Sequence, residues 1–225
     1  MKVAVVCFPG SNADWDALHV ARDVMGWQAR WVFHKETSLG DADLVILPGG
    51  FAHGDYLRCG AIARFSPIAP AIVEFAKKGR PVLGICNGFQ VLTEMGLLPG
   101  ALTRNAHLRF ECRDVWVKVE GEGRFTRGMK PGTVLRLPIA HAEGRYQCDD
   151  ETYAQLEGEG LIALRYCSPS GAIEPEATVN GSRGEIAGVY GAQRNVLGLM
   201  PHPERASESV LGNADGRRLF EALAA

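Results

Sequence analysis

Short apolar runs alternate with amphipathic segments along the first half of the chain. The runs are almost continuously apolar, as in strands that are buried on both faces, and they occupy residues 2–8, 29–33, 43–47 and 82–86. Residues 12–25 and 70–77, which lie between runs, carry apolar side chains at helical spacing. Strands that alternate with helices predict an α/β fold with a doubly wound, mostly parallel sheet and flanking helices.

The first helix is expected to start at Ser11 or Asn12, because serine and asparagine are typical N-cap residues, and to end at Gly26. The apolar residues at helical spacing, which we expect to be buried, are Trp15, Leu18, Ala21, Val24 and Met25.

The pattern changes after Met95 to short strands separated by turns. These strands are predicted at residues 113–119, 133–137, 161–166, 186–190 and 196–200. They indicate a smaller mixed or antiparallel extension of the sheet. Residues 143–160, rich in charge and glycine, predict a surface loop, and residues 213–224 predict a closing helix. Without a linker or repeat, we expect one domain over residues 1–225.

Composition narrows the possible partners and compartments. The chain has 24 basic and 26 acidic residues, a net charge of −2, which favours neither nucleic acid nor an anionic membrane surface. Its first apolar run is too short for a signal peptide or a membrane span, so we expect a cytoplasmic protein. Its six cysteines form no C-x-x-C pair, and we expect no metal site.

A cysteine stands between two glycines where an apolar strand gives way to a helix. The segment is Gly84-Ile85-Cys86-Asn87-Gly88. This spacing is typical of a nucleophile elbow, a sharp turn that holds a reactive side chain clear of the core. The following helix points its amino terminus at Cys86, which favours a thiolate. A small buried cysteine in an ordinary turn is the alternative interpretation.

A histidine and a glutamate follow the last predicted strand. His202 precedes Pro203, which favours an extended backbone, so His202 and Glu204 are expected to face the same side. The carboxylate could then orient and charge-stabilise the imidazole. Cys86, His202 and Glu204 form a possible catalytic triad if the fold brings them together.

Several motifs together resemble the class I, or triad, glutamine amidotransferases. The class motifs are residues 84–90, residues 47–51 and the Met-Pro-His-Pro-Glu-Arg stretch at 200–205. Residues 54–58, 87–90 and 140–145 resemble one subgroup, the glutaminase subunits of phosphoribosylformylglycinamidine synthases. Ala52-His53 departs from the subgroup, which more often has Ser-Tyr there.

The resemblance implies an enzyme that releases ammonia from glutamine for purine biosynthesis. Cys86 would form a thioester with glutamine, and the oxyanion hole would consist of backbone N–H groups of Gly50 or Phe51 and of Asn87. Gln90 falls at the position that helps to hold glutamine; a polar residue on an exposed helix turn is the alternative. Residues 105–113 resemble a stretch near the glutamine pocket, without individual roles. His141 and Glu143 resemble a subgroup signature near the mouth of the pocket, and a solvated turn is the alternative for these two residues.

The resemblance also implies partners. A separate synthetase subunit would bind formylglycinamide ribonucleotide, ATP and magnesium, and a small accessory subunit is expected with it. No cofactor is expected in this chain, because it has no G-x-x-x-x-G-K-S/T loop and no strand leading into a G-x-G-x-x-G turn.

Other functions fit parts of the pattern. An amidotransferase for another acceptor would share the triad, whereas a cysteine hydrolase or stress protein of the same superfamily would share Cys86 without His202 and Glu204. A zinc deaminase would need a P-C-x-x-C segment after His202, and no cysteine follows that position. The intact set of candidate residues argues against a non-catalytic binding subunit.

Overall fold

The computed structural model describes residues 1–174 and 178–224, so residues 175–177 and Ala225 of the predicted domain lie outside it. Within the described residues the strands are β1 (Lys2–Cys7), β2 (Gln28–Phe33), β3 (Leu44–Leu47), β4 (Val82–Ile85), β5 (Ala101–Thr103), β6 (Glu111–Val119), β7 (Val134–His141), β8 (Arg145–Gln147), β9 (Ile162–Cys167), β10 (Ile186–Tyr190) and β11 (Val196–Leu199). The helices are α1 (Asp14–His19, continued by the π-helical turn Val20–Val24), α2 (Ala69–Lys77), α3 (Asn87–Glu94), α4 (Asp150–Gly158) and α5 (Arg217–Ala224).

Nine of the described strands form one sheet in the order β2-β1-β3-β4-β11-β10-β9-β6-β7. The first five strands in this order, β2, β1, β3, β4 and β11, are parallel to one another. All residues of β3, β4 and β11 are buried, as expected for strands covered by helices on both faces. The predicted α/β fold is therefore confirmed, but the sheet is mixed rather than mostly parallel, since four of its eight strand pairings are parallel and four are antiparallel.

The extension of the sheet is antiparallel from β11 through β10, β9 and β6 to β7. Along β7 every second residue is buried, ending with Ile139 and His141. This strand is the last of the order, yet its Pro138 carbonyl accepts a hydrogen bond of 2.8 Å from the N–H of His202, which follows the central strand β11. The antiparallel half therefore bends back over the carboxyl ends of the central parallel strands.

Two glycines allow α3 to lie directly on the sheet. A Cβ atom at Gly88 would lie 1.9 Å from the carbonyl oxygen of Leu47 on β3, and one at Gly84 would lie 2.7 Å from the carbonyl oxygen of Gly88. Any side chain at either position would collide with backbone. The glycines that flank Cys86 are thus required by close packing of strand and helix.

The first helix differs from its prediction at the amino terminus. It begins at Asp14, and Ala13 holds the N-cap position, because the Ser11 hydroxyl instead accepts a hydrogen bond of 3.0 Å from the N–H of Phe8. The expectation that Trp15 is buried is wrong. Its side chain is 64% exposed and packs edge-on against Trp31, with ring centroids 4.1 Å apart.

The predicted surface loop at residues 143–160 is also wrong, since it contains β8 and α4. The Asp149 side chain accepts a hydrogen bond of 2.8 Å from the N–H of Thr152 and caps α4, which buries Leu156 alone. A helix with one buried residue gives little apolar periodicity. The strand β5, which pairs with β8, was also not predicted, and α5 begins later than expected, at Arg217.

Among the helices in the described ranges, none combines the length and apolar character that crossing a membrane requires.

Candidate active site

Cys86 occupies a strained turn between β4 and α3. Its backbone φ is 51° with ψ of −106°, a conformation that is rare for a residue with a side chain. Its N–H donates a hydrogen bond of 2.8 Å to the carbonyl of Leu199 at the end of β11, which fixes the turn against the sheet. The amino terminus of α3 follows directly, so its partial positive charge lies beside Cys86, which holds the N-cap position.

His202 comes close to Cys86 because their strands are neighbours. β4 and β11 are parallel neighbours, with Ile85 paired to Leu199. The segments that follow the two strands therefore leave the sheet at the same end. A Cβ atom at Gly49 would lie 2.7 Å from His202 Cε1 and 3.5 Å from Cys86 Cβ. The three residues are thus packed together, and only glycine fits at position 49.

Glu204 binds the imidazole of His202. The distance between His202 Nδ1 and Glu204 Oε1 is 2.5 Å, and both side chains are buried. His202 itself is non-helical, with φ of −104° and ψ of 86°, but the expected extended backbone does not continue to Glu204, because residues Pro203–Ala206 form a 3₁₀ turn. The turn brings the glutamate to Nδ1, which leaves Nε2 for Cys86.

Charge dominates the protonation of this imidazole. Burial lowers the pKa of His202, but the negative charges of Glu204 and Cys86 outweigh that effect and raise the pKa to about 10. The imidazole of His202 is therefore protonated near neutral pH. Within the described residues, Nε2 of His202 is buried and has no hydrogen-bond partner.

Three backbone amides were candidates for an oxyanion hole, and their hydrogen bonds differ. The N–H of Phe51 donates to the carbonyl of Gly10 at 2.8 Å. The N–H groups of Gly50 and Asn87 donate to no acceptor in the part of the chain that the structure describes. Gly50 has a φ of 150°, and a side chain there would meet Gly10 and Ser11 backbone within 2.7 Å.

The side chains of Asn87 and Gln90 are buried and hydrogen-bonded to each other, with Asn87 Nδ2 donating to Gln90 Oε1 at 2.9 Å. Asn87 Oδ1 also accepts from the N–H of Ala52 at 3.1 Å. Gln90 Nε2 donates to the carbonyl of Glu143 at 2.6 Å. The alternative in which Gln90 is an exposed polar residue is therefore wrong, and its amide joins α3 to the turn after β7.

The turn after β7, residues 141–144, forms one side of the site. The carbonyl of Ala140, just before it, is 3.8 Å from Cys86 Sγ. The Glu143 carboxylate accepts a hydrogen bond of 3.0 Å from the thiol of Cys59, and burial together with Glu143 raises the pKa of Cys59. Cys59 therefore remains a thiol near neutral pH.

Sequence reasoning assigned no part in this arrangement to Ala140, Cys59 or Asn105. Their positions depend on the edge strand β7 folding back over the site, a long-range feature without a local sequence signal. The Asn105 side chain accepts hydrogen bonds from His141 Nδ1 and from the N–H of Gly144, at 3.1 and 3.2 Å. Segment 105–113 thus contacts the 141–144 turn.

In residues 1–174 and 178–224, no group of three or more His, Cys, Asp or Glu side chains is arranged to hold a metal ion.

Comparison with known proteins agrees with the geometry. Residues 1–219 match the model of the CobB/CobQ-like glutamine amidotransferase domain. The chain is 53% identical to the phosphoribosylformylglycinamidine synthase subunit PurQ of Salinibacter ruber, over 99% of this chain and 95% of that protein. It is 51% identical to the same subunit of Bradyrhizobium diazoefficiens, over 100% of this chain and 97% of that protein.

Solved structures show the same relationship. The structure of PurLQS from Thermotoga maritima includes a chain with a TM-score of 0.87 and 42% identity, covering 99% of this chain and 97% of that one. A glutamine amidotransferase from the same organism shares the fold at 18% identity, with a TM-score of 0.58 over 100% of this chain and 82% of that one. The protein is therefore a glutamine amidotransferase, and it belongs to the family of PurQ subunits of phosphoribosylformylglycinamidine synthase.

Proposed function

We propose that this chain hydrolyses glutamine and passes the ammonia to a separate synthetase, which converts formylglycinamide ribonucleotide to formylglycinamidine ribonucleotide with ATP. The observation that carries the proposal is the position of Cys86, on a strained turn at a helix amino terminus beside the buried His202–Glu204 pair. The relatives are subunits of one synthase, which favours this acceptor over another.

In the first half of the reaction, the Cys86 thiolate attacks the carboxamide carbon of glutamine, so that a C–S bond forms and the carbonyl oxygen becomes an oxyanion. The C–N bond then breaks, and the nitrogen takes a proton from His202 Nε2 and leaves as ammonia. Glu204 keeps the other imidazole nitrogen protonated and stabilises the cation until that transfer.

In the second half, neutral His202 accepts a proton from water as the water attacks the thioester carbon. The C–S bond breaks, glutamate is released and the thiolate–imidazolium pair is restored. No redox step or external base is needed, because the proton given to ammonia is recovered from water.

For the oxyanion hole we propose the N–H groups of Gly50 and Asn87. Their hydrogens are free among the described residues, whereas the N–H of Phe51, considered as an alternative from the sequence, is bonded to Gly10. One such donor is typically worth about 10²–10³ in rate. For Gln90 we propose a contact with the bound glutamine, because its amide can form further hydrogen bonds beside those to Asn87 and Glu143.

The proposed partners are a synthetase subunit and a small accessory subunit, with ATP and magnesium bound by the synthetase. The solved PurLQS structure of a relative supports such an assembly. Tyr56 and Leu57 are 74% and 90% exposed in the loop that precedes Cys59, and bulky apolar side chains of this kind are typical of protein interfaces. We place the synthetase against this loop and the reaction in the cytoplasm.

The test compares two nitrogen sources in the complex of this chain with its synthetase. We expect Cys86→Ala to lose glutamine-dependent synthesis and to retain ammonia-dependent synthesis, because only ammonia release needs the thiolate. Cys112→Ala, which removes an exposed cysteine, is the control and should change neither. Normal glutamine hydrolysis by Cys86→Ala would show that the nucleophile is misassigned.

A further inference from the structure

Asn105 is a completely buried polar residue between β5 and β6. Its backbone N–H donates to the carbonyl of Ala142 at 2.8 Å. Its side chain makes two contacts with His141 and one each with Gly144 and Arg109, so three of its four side-chain contacts go to the 141–144 turn. A buried amide is retained at little cost only when it is fully hydrogen-bonded, and this one is.

The orientation of the amide follows from its partners. Nδ2 donates to the carbonyls of Arg109 and His141, both at 2.9 Å, so this atom must be the nitrogen. Oδ1 accepts from the N–H of Gly144 at 3.2 Å and lies 3.1 Å from His141 Nδ1. Nδ1 of His141 must therefore carry the hydrogen of that bond.

His141 is neutral in this position. Burial lowers its pKa to about 4, with a further lowering from the nearby His202, and Glu111 and His107 are the other titratable groups that act on it. With its hydrogen on Nδ1, a neutral imidazole has a lone pair on Nε2. A neutral His141 leaves the cation of His202 without a like charge beside it.

A second buried asparagine supports the same turn. Asn180 Nδ2 donates to the carbonyl of Gly144 at 2.9 Å, and the carbonyl of Asn180 accepts from the N–H of Ala106. Both asparagines are 0% exposed. Together they hold both ends of the 141–144 turn, through His141 and Gly144.

The turn and the residue before it contact two groups of the proposed site, Cys86 and Gln90. The Ala140 carbonyl lies 3.8 Å from Cys86 Sγ, and the Glu143 carbonyl accepts the 2.6 Å hydrogen bond from Gln90. A turn released by loss of Asn105 would shift one side of the glutamine pocket, while Cys86 keeps its bond to Leu199 and His202 keeps its bonds to Pro138 and Glu204.

We propose that Asn105 is a positioning residue for glutamine hydrolysis, which acts by holding the 141–144 turn and the Nδ1–H tautomer of His141 against the Cys86–His202 pair. The inference rests on the proposed function of the chain. Asn105 need not touch the substrate, so its replacement should raise KM for glutamine without removing the nucleophile.

Asn195 provides a matched control. It is also a buried asparagine, and its Nδ2 donates to two carbonyls, of Ala76 and Arg80, both at 2.8 Å, remote from the turn. Asn105→Ala and Asn195→Ala each leave buried carbonyls without donors, so both should lower the unfolding temperature. Only Asn105→Ala is expected to affect the glutamine pocket.

The experiment measures KM and kcat for glutamine in the complex with the synthetase, together with ammonia-dependent synthesis. In parallel, Cys86 is labelled by a glutamine-like chloroketone and by iodoacetamide, which does not need the pocket. For Asn105→Ala we expect KM for glutamine to rise at least tenfold and the chloroketone-to-iodoacetamide rate ratio to fall, with unchanged ammonia-dependent synthesis. Asn195→Ala should keep the wild-type KM and ratio.

An unchanged KM and ratio in Asn105→Ala, or equal changes in both variants, would overturn the inference while leaving the proposed function intact. Wild-type protein that is not labelled at Cys86 by the chloroketone would instead contradict the proposed function. If Asn105→Ala does not fold, Asn180→Ala removes one bond to the same turn, and the same readouts then decide.

Discussion

The left-handed backbone of Cys86 illustrates how this site is built residue by residue. Such a conformation in a residue with a side chain costs about 1–3 kcal/mol, which the surrounding structure must offset. Here the bond from Cys86 N–H to Leu199 and the helix that starts at Asn87 hold the turn. This backbone conformation places the Cys86 side chain at the carboxyl end of β4, next to His202.

The protonation of His202 gives a prediction about pH. Because Glu204 raises the pKa of His202, the imidazolium that protonates ammonia should be lost, and kcat/KM for glutamine should fall, only at alkaline pH. Glu204→Gln removes that charge, so the pKa falls and the alkaline limb of the profile should move to lower pH. The kcat/KM of Glu204→Gln should still exceed that of His202→Ala, because His202→Ala loses the general base and the general acid together. That loss costs about 10²–10⁴ in rate.

Glu208→Gln is the matched control, because Glu208 pairs with His19 at 2.7 Å, away from the triad. Its pH profile should match that of the wild type. An alkaline limb that stays in place in Glu204→Gln, or His202→Ala more active than Glu204→Gln, would contradict the assigned roles.

At the scale of elements, the contact between α3 and the sheet makes a prediction about stability. Gly88→Ala would place a methyl group 1.9 Å from the Leu47 carbonyl oxygen, so the helix must shift. Overpacking of this kind costs about 1–3 kcal/mol, and it also moves the helix terminus that faces Cys86. We expect a lower unfolding temperature and reduced glutaminase activity, measured by thermal unfolding and glutamate release.

Gly158→Ala is the control for this change. Gly158 ends α4, and a Cβ atom there would meet nothing within 4 Å. Alanine is favoured over glycine in a helix by about 1 kcal/mol, so this variant should be as stable as the wild type or more so. A Gly88→Ala variant as stable as Gly158→Ala would refute the close packing.

The elements also show what the sequence could and could not predict. Buried parallel strands and the elbow at Cys86 were predictable, because continuous apolar runs and closely packed glycines are local signals. α4 was missed because it buries one residue, Leu156. The placement of β11 beside β4, which brings His202 to Cys86, is a long-range pairing, as is the return of β7 over the site. Local periodicity carries no information about either.

At the scale of the whole molecule, the activity of a glutaminase that supplies ammonia to a partner should depend on contact with that partner. The loop 53–57 has three non-glycine residues with positive φ, His53, Asp55 and Leu57, and is tied to Asn87 through a 3.3 Å hydrogen bond to Asp55. The backbone N–H of Asn87 is also one of the two proposed oxyanion donors. Contact of the synthetase with this loop would therefore reach the oxyanion hole directly.

We predict low glutaminase activity for the isolated chain and a rise of at least about tenfold with the synthetase and its nucleotide substrates. That factor corresponds to about 1.4 kcal/mol of transition-state stabilisation. Glutamate release with and without the partner is the measurement. Full activity in the isolated chain, unchanged by the synthetase, would refute the coupling and leave the triad unaffected.

The central claim is that glutamine is hydrolysed through a thioester on Cys86. The most direct measurement is rapid acid quenching of the complex during turnover of glutamine, followed by peptide mass spectrometry. The account predicts a glutamyl adduct on the peptide that contains Cys86, which disappears when glutamine is exhausted and is absent from Cys86→Ala. Continued glutamate release by Cys86→Ala, or an adduct confined to another residue, would contradict it.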